Sequence, residues 1–278
     1  MSRSTLDPSL FRPEAVDEDT RDTRRVNKLV EDLLASVMPT NQRQPEEIRA
    51  EREAGTGVFP PLILLPEARE RLIVGPAGQL KLRMFVPDKV ECAYLHIHGG
   101  GWVLGAAHHQ DPLLKLLKLV ADNCHAAVLS VDYRLAPEHS YPAGPDDCEA
   151  AAVWLIKNCV KEVKELGTDK LMIGGESAGA HLSAVTLLRL RDKHGFTDFR
   201  AANLVFGAFD LGFTPSVRRW GGRNLILNTP IIEWFTDHFV PRERRADPDV
   251  SPLYADLRDM PPALFTIGTL DPLLDDSL

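Results

Sequence analysis

The chain has 278 residues, a formal net charge of −8 and 44% hydrophobic residues. This length suits one large domain with a small addition, and the composition is that of a globular protein. The negative charge disfavours nucleic acid and anionic membranes as partners. No apolar run reaches the roughly 18 residues that would span a bilayer, and the polar, acidic start of the chain does not resemble a secretory signal.

The cysteines indicate the cellular compartment. Cys92, Cys124, Cys148 and Cys159 show neither CxxC spacing nor a pattern of metal ligands. We therefore expect reduced thiols in a reducing compartment, and hence a cytoplasmic protein. The sequence predicts no metal and no organic cofactor.

The N-terminal segment, residues 1–57, is charged and helical in pattern. Its clearest part, Val26–Val37, places apolar residues at helical spacing and stops before Pro39. Such an amphipathic helix is expected to pack its apolar stripe on another part of the molecule. Residues 58–278 are predicted to form the core, with a second, aromatic-rich helical insertion near 213–245.

The core alternates strand and helix patterns after an opening pair of strands. Strand patterns occupy Glu70–Val74, Leu80–Val86, Ala93–His98, Ala126–Val131, Leu171–Ile173, Leu204–Phe206 and Ala263–Ile267. Helical patterns occupy Asp111–Asp122, Asp146–Leu166 and Ala178–Lys193. Continuous apolar strands that alternate with helices predict a mostly parallel sheet covered on both faces. The first two strands, with no helix between them, are expected to form an antiparallel edge.

Four motifs follow strands in chain order. They are His98–Trp102 (HGGGW), Asp132–His139 (DYRLAPEH), Gly175–Gly179 (GESAG) and Asp271–Asp275 (DPLLD). The third motif, Gly-x-Ser-x-Gly between a strand and a helix, predicts a nucleophile elbow. A glycine run after a strand can turn backbone N–H groups toward an oxyanion, and the N–H after the nucleophile completes such a hole.

These motifs together resemble the hormone-sensitive-lipase-like carboxylesterases, bacterial family IV, over nearly all of the chain from about residue 70. The resemblance implies an α/β-hydrolase fold with a helical cap, and a serine esterase that cleaves short-chain acyl esters through an acyl-enzyme without a cofactor. It implies that Ser177 and Asp271 belong to the catalytic triad. It also implies that Gly100, Gly101 and Ala178 donate the N–H groups of the oxyanion hole.

Three further motif residues are expected to support the site rather than react. His98 and Gly99 are expected to shape the glycine loop, and Glu176 to brace it. For Asp271 an additional role is open, because Asp-Pro is common at a helix start, with the aspartate as N-cap and Pro272 at the first helical position.

The chain departs from the family after Asp271. The family's histidine follows that aspartate by one further helix and strand, about 30 residues, whereas seven residues follow it here and none is a histidine. We therefore expect a C-terminally truncated member that lacks the last helix and strand and has impaired activity. His181, His108 and His109 are the alternative bases to weigh.

Two further expectations follow from this departure. The alternative hypothesis is a ligand-binding protein without catalysis, as in the plant gibberellin receptors, which resemble the same family and lack the catalytic histidine. Without a last strand, Ala263–Ile267 would form an exposed sheet edge through which the chain self-associates.

Overall fold

The computed structural model describes residues 18–114, 125–159 and 166–278. Its strands are β1 (Arg69–Gly75), β2 (Gly78–Phe85), β3 (Cys92–Ile97), β4 (Ala126–Val131), β5 (Leu171–Glu176), β6 (Phe199–Val205) and β7 (Ala263–Thr266). Its helices are α1 (Glu18–Ala35), α2 (Pro45–Ala54), α3 (Ala143–Asn158), α4 (Ala178–His194), α5 (Pro215–Trp220), α6 (Thr229–Phe239) and α7 (Leu274–Ser277). Among the helices of these ranges, none combines the length and the apolar character that a bilayer crossing requires.

The strands form one sheet in the order β1-β2-β4-β3-β5-β6-β7. β1 pairs with β2, and β2 with β4, in antiparallel fashion, whereas the remaining pairs are parallel. The predicted antiparallel opening and the mostly parallel sheet are therefore confirmed. Helices connect the parallel strands and bury the sheet, as the alternation of patterns predicts.

The centre of the sheet is the core of the molecule. Every residue of β4 is buried, and Leu95 and Ile173 on the adjoining strands are fully inaccessible. All but the last four residues of α4 are also buried. Because most of α4 is buried, its first turn, which begins directly after Ser177, is held in place.

Several element boundaries differ from the predictions. β6 begins at Phe199 rather than Leu204, because Phe199 and Ala202 pack inward and extend the strand backwards. α3 begins at Ala143, three residues early. Most of the predicted helix Asp111–Asp122 and the end of the helix predicted to reach Leu166 lie outside the described residues.

The N-terminal helix α1 differs from its prediction in packing. Val26, Leu29 and Leu33 lie along its apolar stripe and are each more than half exposed. The expectation that this stripe packs on another part of the molecule is therefore not met within the described residues. A contact that does tie α1 down is polar, the 2.7 Å ion pair between Glu31 and Arg223.

Candidate active site

The three predicted reactive segments meet at one edge of the sheet. β3, β5, β6 and β7 are parallel, so their carboxyl ends share that edge. The glycine loop follows β3, Ser177 follows the neighbouring β5, and Asp271 follows β7, with β6 in between. This is where ligands bind in open α/β sheets.

Ser177 occupies a strained turn between β5 and α4. Its φ of 56° and ψ of −121° lie outside the regions that a residue with a side chain ordinarily adopts. The turn is held by the Ser177 N–H, which donates to the carbonyl of Val205 at 2.8 Å, and by α4, whose His181 N–H donates to the Ser177 carbonyl at 3.2 Å. The side chain remains partly accessible, so the serine is presented at the sheet edge.

The glycines on both sides of Ser177 allow a close approach to β3. A Cβ on Gly175 or on Gly179 would lie 1.9 Å from the carbonyl oxygen of Ile97, the last residue of β3. No side chain fits there, so the Gly-x-Ser-x-Gly pattern reflects contact between the elbow and the neighbouring strand.

The glycine loop after β3 passes directly beside the serine. A Cβ on Gly99 would lie 3.3 Å from the Cβ of Ser177, while Gly100 and Gly101 have φ values of 114° and 60°. Within the described ranges, the N–H groups of Gly100, Gly101 and Ala178 donate to no acceptor. Unpaired donors beside a serine are what an oxyanion hole requires.

The carboxylate of Glu176 holds the glycine loop through a hydrogen bond. It accepts a 2.7 Å hydrogen bond from the Gly99 N–H and lies 3.0 Å from Nε2 of His96, whose Nδ1 contacts the Ser130 hydroxyl at 2.9 Å. Burial acts to raise the pKa of Glu176, but the bonds to His96 and Gly99 outweigh it and lower that pKa. The carboxylate is therefore ionised, and its two oxygens are occupied by Gly99 and His96.

His98 is buried beneath the glycine loop. Its ring stacks on Tyr133 with centroids 4.2 Å apart, and its Nδ1 contacts the Gly99 carbonyl at 2.8 Å. Burial lowers the pKa of His98 to about 4. A neutral ring packed in this way supports the loop, consistent with the role expected from the sequence.

His181 is not available as a base for Ser177. Its Nδ1 accepts from the Trp102 indole at 3.0 Å, and its Nε2 donates to the Val250 carbonyl at 2.7 Å. Burial lowers its pKa to about 4. Both ring nitrogens are occupied, so this histidine fastens α4 to Trp102 and to the 250 loop.

The other alternative bases are also occupied elsewhere. His108 and His109 both contact the carboxylate of Glu53 through Nε2. Among the described residues, which include all nine histidines of the chain, no ring is hydrogen-bonded to Ser177.

Asp271 lies at the carboxyl end of β7, shortly before a helix. Its Oδ1 accepts from the Leu273 N–H at 2.8 Å, and the helix that follows is Leu274–Ser277 with Leu273 at its N-cap position. The carboxylate thus accepts from the N–H two residues on, as an N-cap side chain does, while the assigned helix begins two residues later than predicted, at Leu274 rather than Pro272. Burial raises the pKa of Asp271, and the Leu273 N–H partly offsets this.

Two elements cover the glycine loop from above. Phe235 of α6 lies where a Cβ on Gly101 would be 2.2 Å from its ring, and Phe239 stacks on Trp102 with centroids 4.7 Å apart. Arg49 of α2 donates to the Val103 carbonyl at 2.8 Å and pairs with Glu138 at 2.7 Å. Phe235 and Phe239 belong to the aromatic-rich insertion expected near 213–245, whereas no pattern in the sequence singles out Arg49.

The DYRLAPEH segment holds the surrounding loops. Asp132 accepts from the Ala107 N–H at 3.0 Å, and Arg134 pairs with Asp147 at 2.8 Å. These contacts hold the segment that follows the glycine loop and the first turns of α3.

Comparisons with known proteins agree with this geometry. A family model described as an alpha/beta hydrolase fold matches residues 94–278. The chain is 36% identical over 212 residues to the carboxylic ester hydrolase LipN of Mycobacterium tuberculosis, covering 73% of this chain and 55% of LipN. It is 31% identical over 246 residues to an arylesterase of Saccharolobus solfataricus, covering 87% of this chain and 78% of that protein.

Solved structures give the same result. A hyperthermophilic esterase from Pyrobaculum calidifontis superposes with a TM-score of 0.79 at 30% identity, covering 91% of this chain and 81% of that one. The carboxylesterase EstE1, cloned from a metagenomic library, gives a TM-score of 0.73 at 30% identity, covering 85% and 81%.

Proposed function

Because the chain belongs to the α/β-hydrolase family and its relatives are carboxylic ester hydrolases, we propose that it is built to hydrolyse short-chain acyl esters through an acyl-enzyme on Ser177. The observation that carries this proposal is the strained serine at the sheet edge beside unpaired N–H donors. Fold alone would not suffice, since hydrolase folds host many functions.

The reaction we propose follows from these positions. The Ser177 hydroxyl oxygen attacks the ester carbonyl, its proton passes to a base, and the N–H groups of Gly100, Gly101 and Ala178 stabilise the oxyanion. The tetrahedral intermediate expels the alcohol, which takes the proton, and water then releases the acid from the serine by the same steps. Asp271 is proposed to orient the imidazole that acts as base.

We further propose that this chain hydrolyses esters slowly. The support is that, among the described residues, no histidine ring is hydrogen-bonded to Ser177. Removing the base of a comparable triad costs on the order of 10⁶ in turnover, and what remains is binding and oxyanion stabilisation.

An assay with a short p-nitrophenyl ester tests both proposals. We expect turnover on the order of 10⁶-fold below that of a relative with an intact catalytic triad. We also expect Ser177→Ala to remove the remaining acylation of Ser177, which mass spectrometry would show as a loss of acyl-enzyme. Robust turnover that Ser177→Ala abolishes would support the esterase and overturn the slow rate. Turnover and acylation unchanged by Ser177→Ala would overturn the esterase proposal.

A receptor-like function is the second candidate. It is favoured by one observation, that among the described residues a formed oxyanion loop and cap lie over a serine with no histidine partner. Such a site would retain a small ester or acid without converting it. Equilibrium dialysis with recovery of unchanged ligand would favour this function over hydrolysis.

The cap boundaries are also proposals. We propose that residues 1–57 and 213–245 form the cap and 58–278 the core. Arg49 and Phe235, one from each segment, both contact the glycine loop or the residues that follow it, which supports a shared covering role.

A cytoplasmic location is proposed from the thiols. Cys148 and Cys159 are buried without disulfides, and burial raises the pKa of Cys159 to about 11. Buried thiols of this kind persist where the compartment is reducing.

Self-association through β7 is proposed from its exposure. β7 is the last strand of the described sheet, and Leu264 and Phe265 on it are 65% and 46% exposed. An apolar edge with unpaired backbone groups favours pairing with another chain.

Light scattering over a wide concentration range tests this. We expect a dimer or larger assembly at high concentration, and Leu264→Lys to shift it toward monomer because a charge opposes edge pairing. Val74→Lys, at the opposite edge strand and 90% exposed, is the matched control. A monomer at all concentrations, or equal effects of both variants, would contradict association through β7.

A further inference from the structure

A cluster of two histidines and a carboxylate lies between α2 and the segment that follows the glycine loop. Glu53 is near the end of α2, and His108 and His109 belong to a short 3₁₀ turn over Ala107–Gln110. Nε2 of His109 lies 2.8 Å and Nε2 of His108 lies 3.0 Å from the same Glu53 oxygen. Ligand atoms of all three side chains lie within 4.8 Å of one another.

We propose that Glu53, His108 and His109 form a binding site for a divalent transition-metal ion of the Zn²⁺ type, with the fourth position open to solvent. Two imidazole nitrogens and one carboxylate are a donor set that Zn²⁺ uses with an open position. The cluster shares no residue with the candidate active site, and the proposal does not depend on the proposed esterase activity.

The geometry needs only small movements to accept the ion. Zinc bonds of about 2.0–2.2 Å place tetrahedral ligand atoms about 3.3–3.5 Å apart. The two distances from Glu53 to the histidines are a few tenths of an ångström shorter than this, and all three ligand atoms lie within 4.8 Å of one another. The Glu53 side chain is 58% exposed and the His108 side chain 22% exposed, so both can adjust, whereas His109, at 5%, is fixed by its surroundings. The buried histidine thus anchors the site and the exposed carboxylate closes it.

Two features limit the affinity. The charge of Arg52 acts on this cluster and repels a cation, and Nδ1 of His109 is buried without a partner among the described residues, whereas a ligating histidine is usually oriented by a bond from its second nitrogen. We therefore expect micromolar rather than nanomolar binding.

Binding would link the cap to the glycine loop. α2 already reaches the Val103 carbonyl through Arg49, and an ion between Glu53 and the two histidines would add a second connection four residues further along the helix. Since a ligand that binds only the folded state stabilises it, Zn²⁺ should raise the thermal midpoint.

Titration of the chelator-treated chain with Zn²⁺, followed by calorimetry, and with Co²⁺, followed by its visible absorption, tests the site. We expect one equivalent to bind and the Co²⁺ spectrum to be that of a four-coordinate ion. His109→Gln, His108→Gln and Glu53→Gln should each weaken binding at least about tenfold, the loss that even an outer partner of a metal ligand can cause.

His194→Gln is the matched control, because His194 contacts the single carboxylate of Glu149 at 2.8 Å on another surface. This variant should leave both titrations unchanged. Circular dichroism and the thermal midpoint without metal check folding, and the exposed Glu53→Gln keeps the test decisive if His109→Gln fails to fold. Absence of saturable binding, or binding that Glu53→Gln and His108→Gln leave intact, would overturn the proposal.

Discussion

Replacing Gly179 with alanine is expected to destabilise the protein by about 3 kcal/mol, the upper part of the usual cost of overpacking. The new Cβ would lie 1.9 Å from the Ile97 carbonyl oxygen and 2.8 Å from that of His98. Both are backbone atoms at the end of β3, which is hydrogen-bonded to β4 on one side and β5 on the other. Neither α4 nor β3 can therefore move away without breaking sheet pairing.

Urea unfolding followed by circular dichroism measures this loss. Gly268→Ala is the matched control, because Gly268 is exposed, does not have a positive φ and has nothing within 4 Å of an added Cβ; its effect should stay within about 0.5 kcal/mol. If Gly179→Ala were as stable as the native chain, β3 and α4 would not be in obligatory contact. The Gly-x-Ser-x-Gly pattern would then need another explanation than this close approach.

The sequence was most informative where a local pattern and a backbone requirement coincide. The elbow could be predicted because a serine between two obligatory glycines, after an apolar strand and before a helix, has few other uses. The parallel strands could be predicted equally well, because strands buried on both faces are almost continuously apolar, as Ala126–Val131 is at every position except Ser130.

Contacts between distant segments could not be predicted in the same way. That His181 bonds to Trp102 and the Val250 carbonyl depends on how α4 meets two loops, which no spacing encodes. The contact between Arg49 and the Val103 carbonyl could not be predicted either, because Arg49 is one of two arginines in a charged helix. At Asp271 the predicted side-chain hydrogen bond is present, to the Leu273 N–H, but the helix begins at Leu274 rather than at Pro272, a boundary that the Asp-Pro pattern does not fix.

A second large effect is expected at a buried ion cluster on the same helix. Arg189 of α4 is only 4% exposed and pairs with Asp249 at 2.6 Å, Asp146 at 2.8 Å and Glu149 at 3.2 Å. Tyr141 also donates to Asp249. Burial acts to raise the pKa of Asp249, but the bonds from Arg189 and Tyr141 outweigh it and lower that pKa. One guanidinium thus holds three carboxylates around the helix that starts at Ser177.

Arg189→Met is expected to cost about 2–3 kcal/mol at pH 7, because it removes the buried guanidinium that pairs with the half-buried Asp249 and Asp146. Glu149 keeps Lys193 and His194 as partners. The pH dependence identifies the cause. In the native chain the lowered pKa of Asp249 contributes stability above its unfolded pKa, and this stability is lost as pH falls through the folded pKa. In the variant the half-buried Asp249 keeps the Tyr141 hydrogen bond but has lost its counter-ion, so we expect burial to raise its pKa above the unfolded value. The resulting penalty is present above the folded pKa and disappears as the pH falls below the unfolded one.

The difference in unfolding free energy between native chain and variant should therefore shrink as the pH falls from 7 to about 4. Denaturant unfolding at several pH values measures it, with Arg258→Met as control, since Arg258 forms an exposed pair with Asp256 and its loss should leave stability unchanged. A difference that stays constant with pH would mean that Arg189 contributes through the packing of its stem rather than through its charge. In that case the three carboxylates would be solvated well enough to do without it, and α4 would be held by its apolar contacts and by the hydrogen bonds of His181.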